Sequence, residues 1–315
     1  MRSAFFLLAL LIGVHTFHIK NKDKSKNHQE ITRMAILRAT KNVCKSVEGF
    51  KKPAPLDVTT LAKACKKEAF TNNFETGIKI ISYYNAQQKL QHPGSEKHHF
   101  DSETFVDGKA LIINGKKNVI NSIKSNKCDD ARQTLGEILH TLQDFYSHSN
   151  RIEMGNTKPC TALINPEEPI PNPADIYTKT CDECPEEKCG AKILEEIIKG
   201  KILTSGYFGK TKPKGKCSHG GTLDITTGIE KGWNGINKDY YSKSSHGGQH
   251  DDAANVAIDV SVQLLENIWK SIDTEDFCRL MGLHTETPKG EWKAHISFFS
   301  FKSRYDATDD SNVDI

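Results

Sequence analysis

The stretch Leu135-Gly136-Glu137-Ile138-Leu139-His140-Thr141-Leu142-Gln143-Asp144-Phe145-Tyr146-Ser147-His148-Ser149-Asn150 constrains the fold more than any other. Leu135, Ile138, Leu139 and Leu142 recur at the spacing of one helix face, which predicts a helix over 129–147. On it His140, Asp144 and His148 stand four and eight residues apart, so their side chains line one face. Two imidazoles and a carboxylate in a row are first-row metal ligands by type. Each alone reads as an ordinary structural or surface residue; the row together points to metal.

Helical spacing recurs along the chain. Asn27-x-x-Glu30 reads as a capping box for a helix over 28–42, with Ile31, Met34, Ala35 and Arg38 on one face. Further helices are predicted over 57–69, 75–90, 109–124, 191–199 and 251–271. No strand-type alternation is sustained, so the fold class is all-α, with about six to eight helices and long loops. Residues 155–190 hold most of the prolines and four cysteines, and read as a disulfide-tied loop; 206–249 are Gly-rich and irregular.

The N-terminus sets the compartment. Arg2 precedes the apolar run Ala4 to Val14, and a strongly polar segment follows from His18. This reads as a secretory signal peptide over 1–16, cleaved near Thr16, with Phe17 as the first mature residue. A buried N-terminal helix is the plainer alternative. The run is shorter than the ~20 residues a bilayer span needs, and no second stretch is long enough. The expectation is a secreted, extracellular chain with one helical domain over 17–283 and a short polar tail, 284–315, read as flexible.

Secretion favours disulfides for the nine cysteines. The candidates are Cys44, Cys65, Cys128, Cys160, Cys181, Cys184, Cys189 and Cys217, with Cys44 and Cys65 linking neighbouring segments and one thiol of the nine left over. In a reducing compartment the cluster Cys181-x-x-Cys184-x4-Cys189 with Cys217 would suit zinc instead. No Asn-x-Ser/Thr sequon occurs. The charge balance, 43 Lys+Arg against 40 Asp+Glu, excludes a polyanion binder working by bulk charge, so nucleic acid is not favoured as a partner.

The thirteen histidines gather in places. His28 starts the first helix, Lys97-His98-His99-Phe100-Asp101 precedes the fourth, and His246-x-x-x-His250 opens the last. Such an inventory could serve a cluster of two or three metal ions. The exposed-loop reading of His98-His99 stands beside ligation.

At these residues the sequence resembles a known family, the N-terminal domain of von Willebrand factor A domain-containing protein seven, related to the fungal Het-C proteins. The likeness runs from about 28 to 283 through LGEILHTLQDFYSHSN, KHHFDSE, Ile202 to Gly209, Gly215 to Gly221, Asn234 to Asp239 and His250 to Ala254. More distantly the chain is similar to zinc-dependent phospholipase C and P1-type nucleases, all-helical phosphodiester hydrolases holding three zinc ions. That similarity implies that Asp144 bridges two zincs and that His140, His28 and the amine of Phe17 are ligands. It likewise implies roles for His246, for His250 in an acid's place, and for His99 or Asp101. The relatives' histidine six residues after the bridging Asp is Asn150 here, and His148 comes at four. The von Willebrand A domain into which the family continues has no counterpart motif, so the chain reads as a short form or a part.

Two functions follow. In the first, two or three zinc ions on Asp144, His140, His148, His246 and His250 hydrolyse a phosphodiester, either a phospholipid or a nucleic acid, the latter not favoured by the charge balance. In the second, the chain is a non-catalytic extracellular adhesion or matrix module that presents 155–190 to a protein partner. The first requires the named ligands to converge within about 5 Å of a common point.

Overall fold

Asn27 and Glu30 exchange hydrogen bonds, each side chain accepting from the other's backbone N–H, and so start helix α1 (His28–Cys44). The structure, a computed structural model, describes residues 24–182, 192–209, 212–221, 224, 235–242 and 244–284. The expected signal peptide, Phe17, Cys184, Cys189 and the tail beyond His284 lie outside the described residues.

After α1 come α2 (Val58–Ala64), α3 (Thr71–Gln91), α4 (Glu96–His99), α5 (Phe105–Lys124) and α6 (Cys128–His148). Then follow α7 (Glu195–Lys199), α8 (His250–Trp269) and α9 (Thr274–Met281). The chain is mostly helical, and among the described residues extended segments meet only in isolated bridges, such as Ser149 with Ser205 and Tyr207 with Ser218. The helix α9 was not anticipated. Its eight residues are too few for a periodic signal, but Asp273 caps its start and Gly282, at φ +87°, closes its end.

Helix α6 lies at the centre. It packs most extensively on α5 and α3, with α8 on a further side, while α1 lies on α8 and α3. Every residue from Ile138 to His148 is buried. The metal-type face of α6 is therefore inside the protein as well as its leucine face. Gly136 permits this: a Cβ there would run into the backbone of α3 at Ile81 and Asn85. The leucines Leu135, Leu139 and Leu142 are fully buried, each side chain contributing about 1.5–3 kcal/mol.

Two disulfides are present among the described residues. Cys44–Cys65 ties the end of α1 to the residue after α2, and Cys181–Cys217 joins two loop segments. Cys128 and Cys160, expected as disulfide partners, instead keep their thiols, as does Cys278. All three are buried in the main apolar core, where cysteine serves as a small hydrophobe, and burial raises the Cys160 and Cys278 thiols above their ordinary pKa. Among the described residues three cysteines thus stand outside the disulfides, where one was expected for the whole chain. Among the described residues no helix is long and apolar enough to cross a membrane.

Candidate metal centre

Asp144 is fully buried and three imidazoles face its carboxylate. His28 Nε2 lies 3.0 Å from Oδ1, while His99 Nδ1 and His140 Nε2 lie 2.9 and 3.1 Å from Oδ2. His140 arrives from one turn earlier on α6. His28 is the first residue of α1 and His99 the last of α4, so helix termini deliver them. His148, one turn further along α6, faces a second carboxylate. Its Nδ1 lies 3.4 Å from Asp101 Oδ1, and its Nε2 lies 3.5 Å from Asp239 Oδ1 and 3.9 Å from Asp144 Oδ1. His219 Nε2 completes this side at 3.8 Å from Asp101 Oδ1. Two buried triads result, His28–His140–Asp144 and Asp101–His148–His219, each with ligand atoms within 4.8 Å of one another.

A strained turn brings His99 and Asp101 to opposite triads. Phe100, Ser102 and Glu103 have φ of 54°, 54° and 60°, a region unfavourable for residues with a Cβ. Tertiary bonds hold it: Ser102 N donates to Gly206 O at 2.9 Å and Glu103 N to Ser205 Oγ at 2.8 Å. The Glu103 carboxylate accepts from Thr204 Oγ1 at 2.6 Å, Tyr207 Oη at 3.1 Å and the buried Lys216 Nζ at 2.6 Å. The segment that receives the turn therefore also carries His219.

Partners behind each ring assign its tautomer. His28 Nδ1 donates to Gln143 Oε1 (2.7 Å) and His140 Nδ1 to Asn85 Oδ1 (3.2 Å). His99 Nε2 donates to His92 O (2.9 Å), His148 Nδ1 to His99 O (2.7 Å) and His219 Nδ1 to Gly220 O (2.6 Å). Asn85, Gln143 and Thr32 are bonded among themselves, which fixes the two amides. In each ring one nitrogen is spent on an outer oxygen and the other turns inward, the arrangement that orients metal-ligating histidines. The inward atoms are left facing acceptors. Asp144 Oδ1, Asp101 Oδ1 and His148 Nε2 are buried and make no hydrogen bond. Orphaned acceptors pointed at one another suit an intervening cation or proton.

The electrostatics agree. Burial alone would raise the Asp144 carboxyl, but the imidazoles of His140, His148 and His28 outweigh it and hold it well below the usual range. Burial pushes His140 down to about 3, against the pull of Asp144. In His148 burial is overcome by the charges of Asp144 and Asp101, which drive it well above its ordinary value. Burial would raise Asp239 too, but His148 beside it keeps it low, and its Oδ1 accepts from Ser147 Oγ at 2.5 Å. Lys89 of α3 is buried, its Nζ makes no hydrogen bond, and it feels Asp239, Asp144 and Asp101; burial lowers it to about 8.

Of the residues named from sequence, His28, His99, Asp101, His140, Asp144 and His148 are brought together. His246 and His250 join neither triad. His246 Nδ1 pairs with Glu153 Oε1 at 2.6 Å, beside the Lys238–Glu153 ion pair. His250 is buried at the start of α8 with both nitrogens on backbone groups: Nδ1 donates to Lys238 O (2.7 Å), and Nε2 accepts from Lys26 N (2.9 Å). Only His250 lies on α8; His246 precedes its first turn, so the two do not share a helix face, and Glu153 takes the one ring while backbone takes the other. His219, Asp239 and Lys89 were not anticipated. His219 and Asp239 lie in Gly215–Gly221 and Asn234–Asp239, motifs already marked by resemblance; nothing local distinguishes Lys89 from a surface lysine on α3.

Fold and site together define a helical domain with a buried, paired His/Asp centre of metal-ligating type. The chain belongs to the VWA7 N-terminal domain family, whose model matches residues 56–278. It is 35% identical to von Willebrand factor A domain-containing protein 7 of Homo sapiens over 220 residues, 68% of this chain and 24% of that protein. The counterparts in Mus musculus and Rattus norvegicus are 35% and 34% identical over the same length. The chain thus spans about a quarter of the length of these relatives. No solved structure matches it.

Proposed function

We propose that this domain is a secreted zinc-binding module with a phospholipase C-like centre that hydrolyses phosphodiesters. One observation carries the reading. Five imidazoles have one nitrogen pinned to an outer oxygen and the other turned toward buried carboxylates, and Asp144 Oδ1, Asp101 Oδ1 and His148 Nε2 among these inward atoms make no hydrogen bond. The donor set of imidazole and carboxylate fits zinc. His28, His140 and Asp144 would hold one ion, and Asp101, His148 and His219 another; His219 and Asp101 thus take the places expected of His246 and His250, which do not converge on the centre. Asp144 Oδ1 lies 3.0 Å from His28 Nε2 and 3.9 Å from His148 Nε2, so this one carboxylate faces a ring of each triad. Zinc in such a centre supplies Lewis-acid stabilisation of phosphodiester oxygens and acidifies water near neutral pH. Around it Asn85, Gln143 and Thr32 orient rings, and the Lys89 ammonium offers a counter-charge to phosphate. Secretion is supported by the N-terminal leader pattern and by the two disulfides.

The test is elemental analysis of the chain purified from medium, with turnover of a chromogenic phosphodiester and of phosphatidylcholine vesicles. Two or more equivalents of zinc and metal-dependent turnover are expected. Stoichiometric zinc without turnover would leave the non-catalytic extracellular module as the function. Absence of zinc after reconstitution would remove both the centre and the enzyme.

A further inference from the structure

A turn outside the helices carries two large apolar side chains into solvent. Tyr177 is 92% exposed and Ile176 57%, although tyrosine and isoleucine gain from burial. Floppiness does not explain this, because the turn is held at every point. Asp175 Oδ1 accepts from Tyr177 N (2.9 Å), Thr178 N (2.7 Å) and Thr178 Oγ1 (2.8 Å), folding the carboxylate inward. Before the tip, Ala174 N donates to Leu203 O at 2.8 Å. After it, Thr180 N and Cys181 N both donate to Gly215 O, and the Cys181–Cys217 disulfide locks that foot.

Lysines surround the base. Lys179 and Lys214 are exposed, and the Lys179 stem lies across Gly215, where a Cβ would come within 2.6 Å of its Cγ. Lys212 lies beside them, its Nζ on Lys216 O at 3.0 Å. Among the described residues two exposed acids share the turn and its foot: Asp175, whose carboxylate is tied to Tyr177 N and Thr178, and Asp182. A rigid apolar tip with an aromatic ring and a lysine collar matches the two-part chemistry of an anionic bilayer surface: acyl chains for the tip, headgroup phosphates for the collar.

We infer that Ile176 and Tyr177 insert into the interface of anionic phospholipid membranes, steered there by Lys179 and Lys214. The turn is coupled to the metal-type centre through one side chain. Lys216 Nζ bonds both Asp175 O (2.5 Å) and Glu103 Oε2 (2.6 Å), and Glu103 follows Asp101 by two residues. Docking by this tip would bring that side of the domain to the bilayer, but the binding itself stands independently of zinc or turnover.

The experiment is co-sedimentation of the full chain, with and without EDTA, on phosphatidylcholine vesicles and on phosphatidylcholine–phosphatidylserine vesicles. The chain is expected to prefer the anionic vesicles in both conditions. The double variant Ile176→Ser, Tyr177→Ser should bind about tenfold more weakly or worse, and Lys179→Glu with Lys214→Glu should abolish the anionic preference. All four side chains are exposed, so the variants should melt as the parent does. Two results overturn the inference: no vesicle binding by the parent, or binding by the Ser variant equal to the parent's, which would reduce the contact to surface charge.

Discussion

Replacing Asp144 by Asn keeps the side chain's shape and removes the one charge on which three imidazoles converge. In the metal-free protein two effects oppose each other. The carboxylate no longer bears its desolvation cost, but the raised His148 loses its main counter-charge and His28, His99 and His140 lose an anionic neighbour. Because the imidazoles facing the carboxylate outweigh its burial, the variant should be less stable. Breaking a buried pair by removing one partner costs about 3–5 kcal/mol. Asparagine still offers one acceptor oxygen, so the lower end applies, about 3 kcal/mol. For a domain of this size each kcal/mol moves Tm by about 2–4 °C, giving a drop of about 6–12 °C. Zinc adds a second difference. At a hundredfold excess over Kd it should stabilise the parent by about 2.7 kcal/mol, while the variant, lacking the bridging charge, should gain little. Scanning calorimetry of both proteins in EDTA and in zinc measures the two shifts. A variant that melts with the parent in EDTA and rises equally with zinc would refute the assignment of Asp144 to the centre.

Three other outcomes follow from the geometry. Unreduced protein should titrate Cys128, Cys160 and Cys278 with Ellman's reagent only after denaturation, whereas a single reactive thiol would mean that the core cysteines are bridged. For Lys89, the folded pKa near 8 lies below the unfolded value of about 10.4, so in EDTA the unfolded chain binds the extra proton and stability rises with pH between them. Lys89→Met should flatten that rise in urea midpoints measured at about pH 8 and pH 10; an unchanged slope would place the ammonium in water. Gly136→Ala should cost about 2 kcal/mol or more, because its methyl collides with α3 at Ile81 and Asn85. It should also weaken zinc retention, since Asn85 holds the His140 ring; a variant as stable as the parent would contradict the close approach of α3 and α6.

What could be read from the sequence alone was local. The capping box at Asn27 and Glu30, the period of α6 and the shared face of His140, Asp144 and His148 each depend on contacts within about one or two helical turns. Those residues fall where their spacing puts them. Where the relevant partner lies far along the chain, pattern carried no such information. Nothing in Lys97–Glu103 announces that three residues with positive φ, none of them glycine, turn His99 toward Asp144 and Asp101 toward His148; Glu103 and the segment from Thr204 to Lys216 impose it. His250 kept its expected helix-start position, yet loop backbone from Lys26 and Lys238 occupies both its nitrogens. His219 and Asp239 enter from irregular segments that have no period to extrapolate. Spacing on a helix fixes the direction of a side chain relative to its own axis. Which groups stand opposite it is decided by how α3, α4 and the loops pack on α6, through contacts between residues tens to hundreds of positions apart.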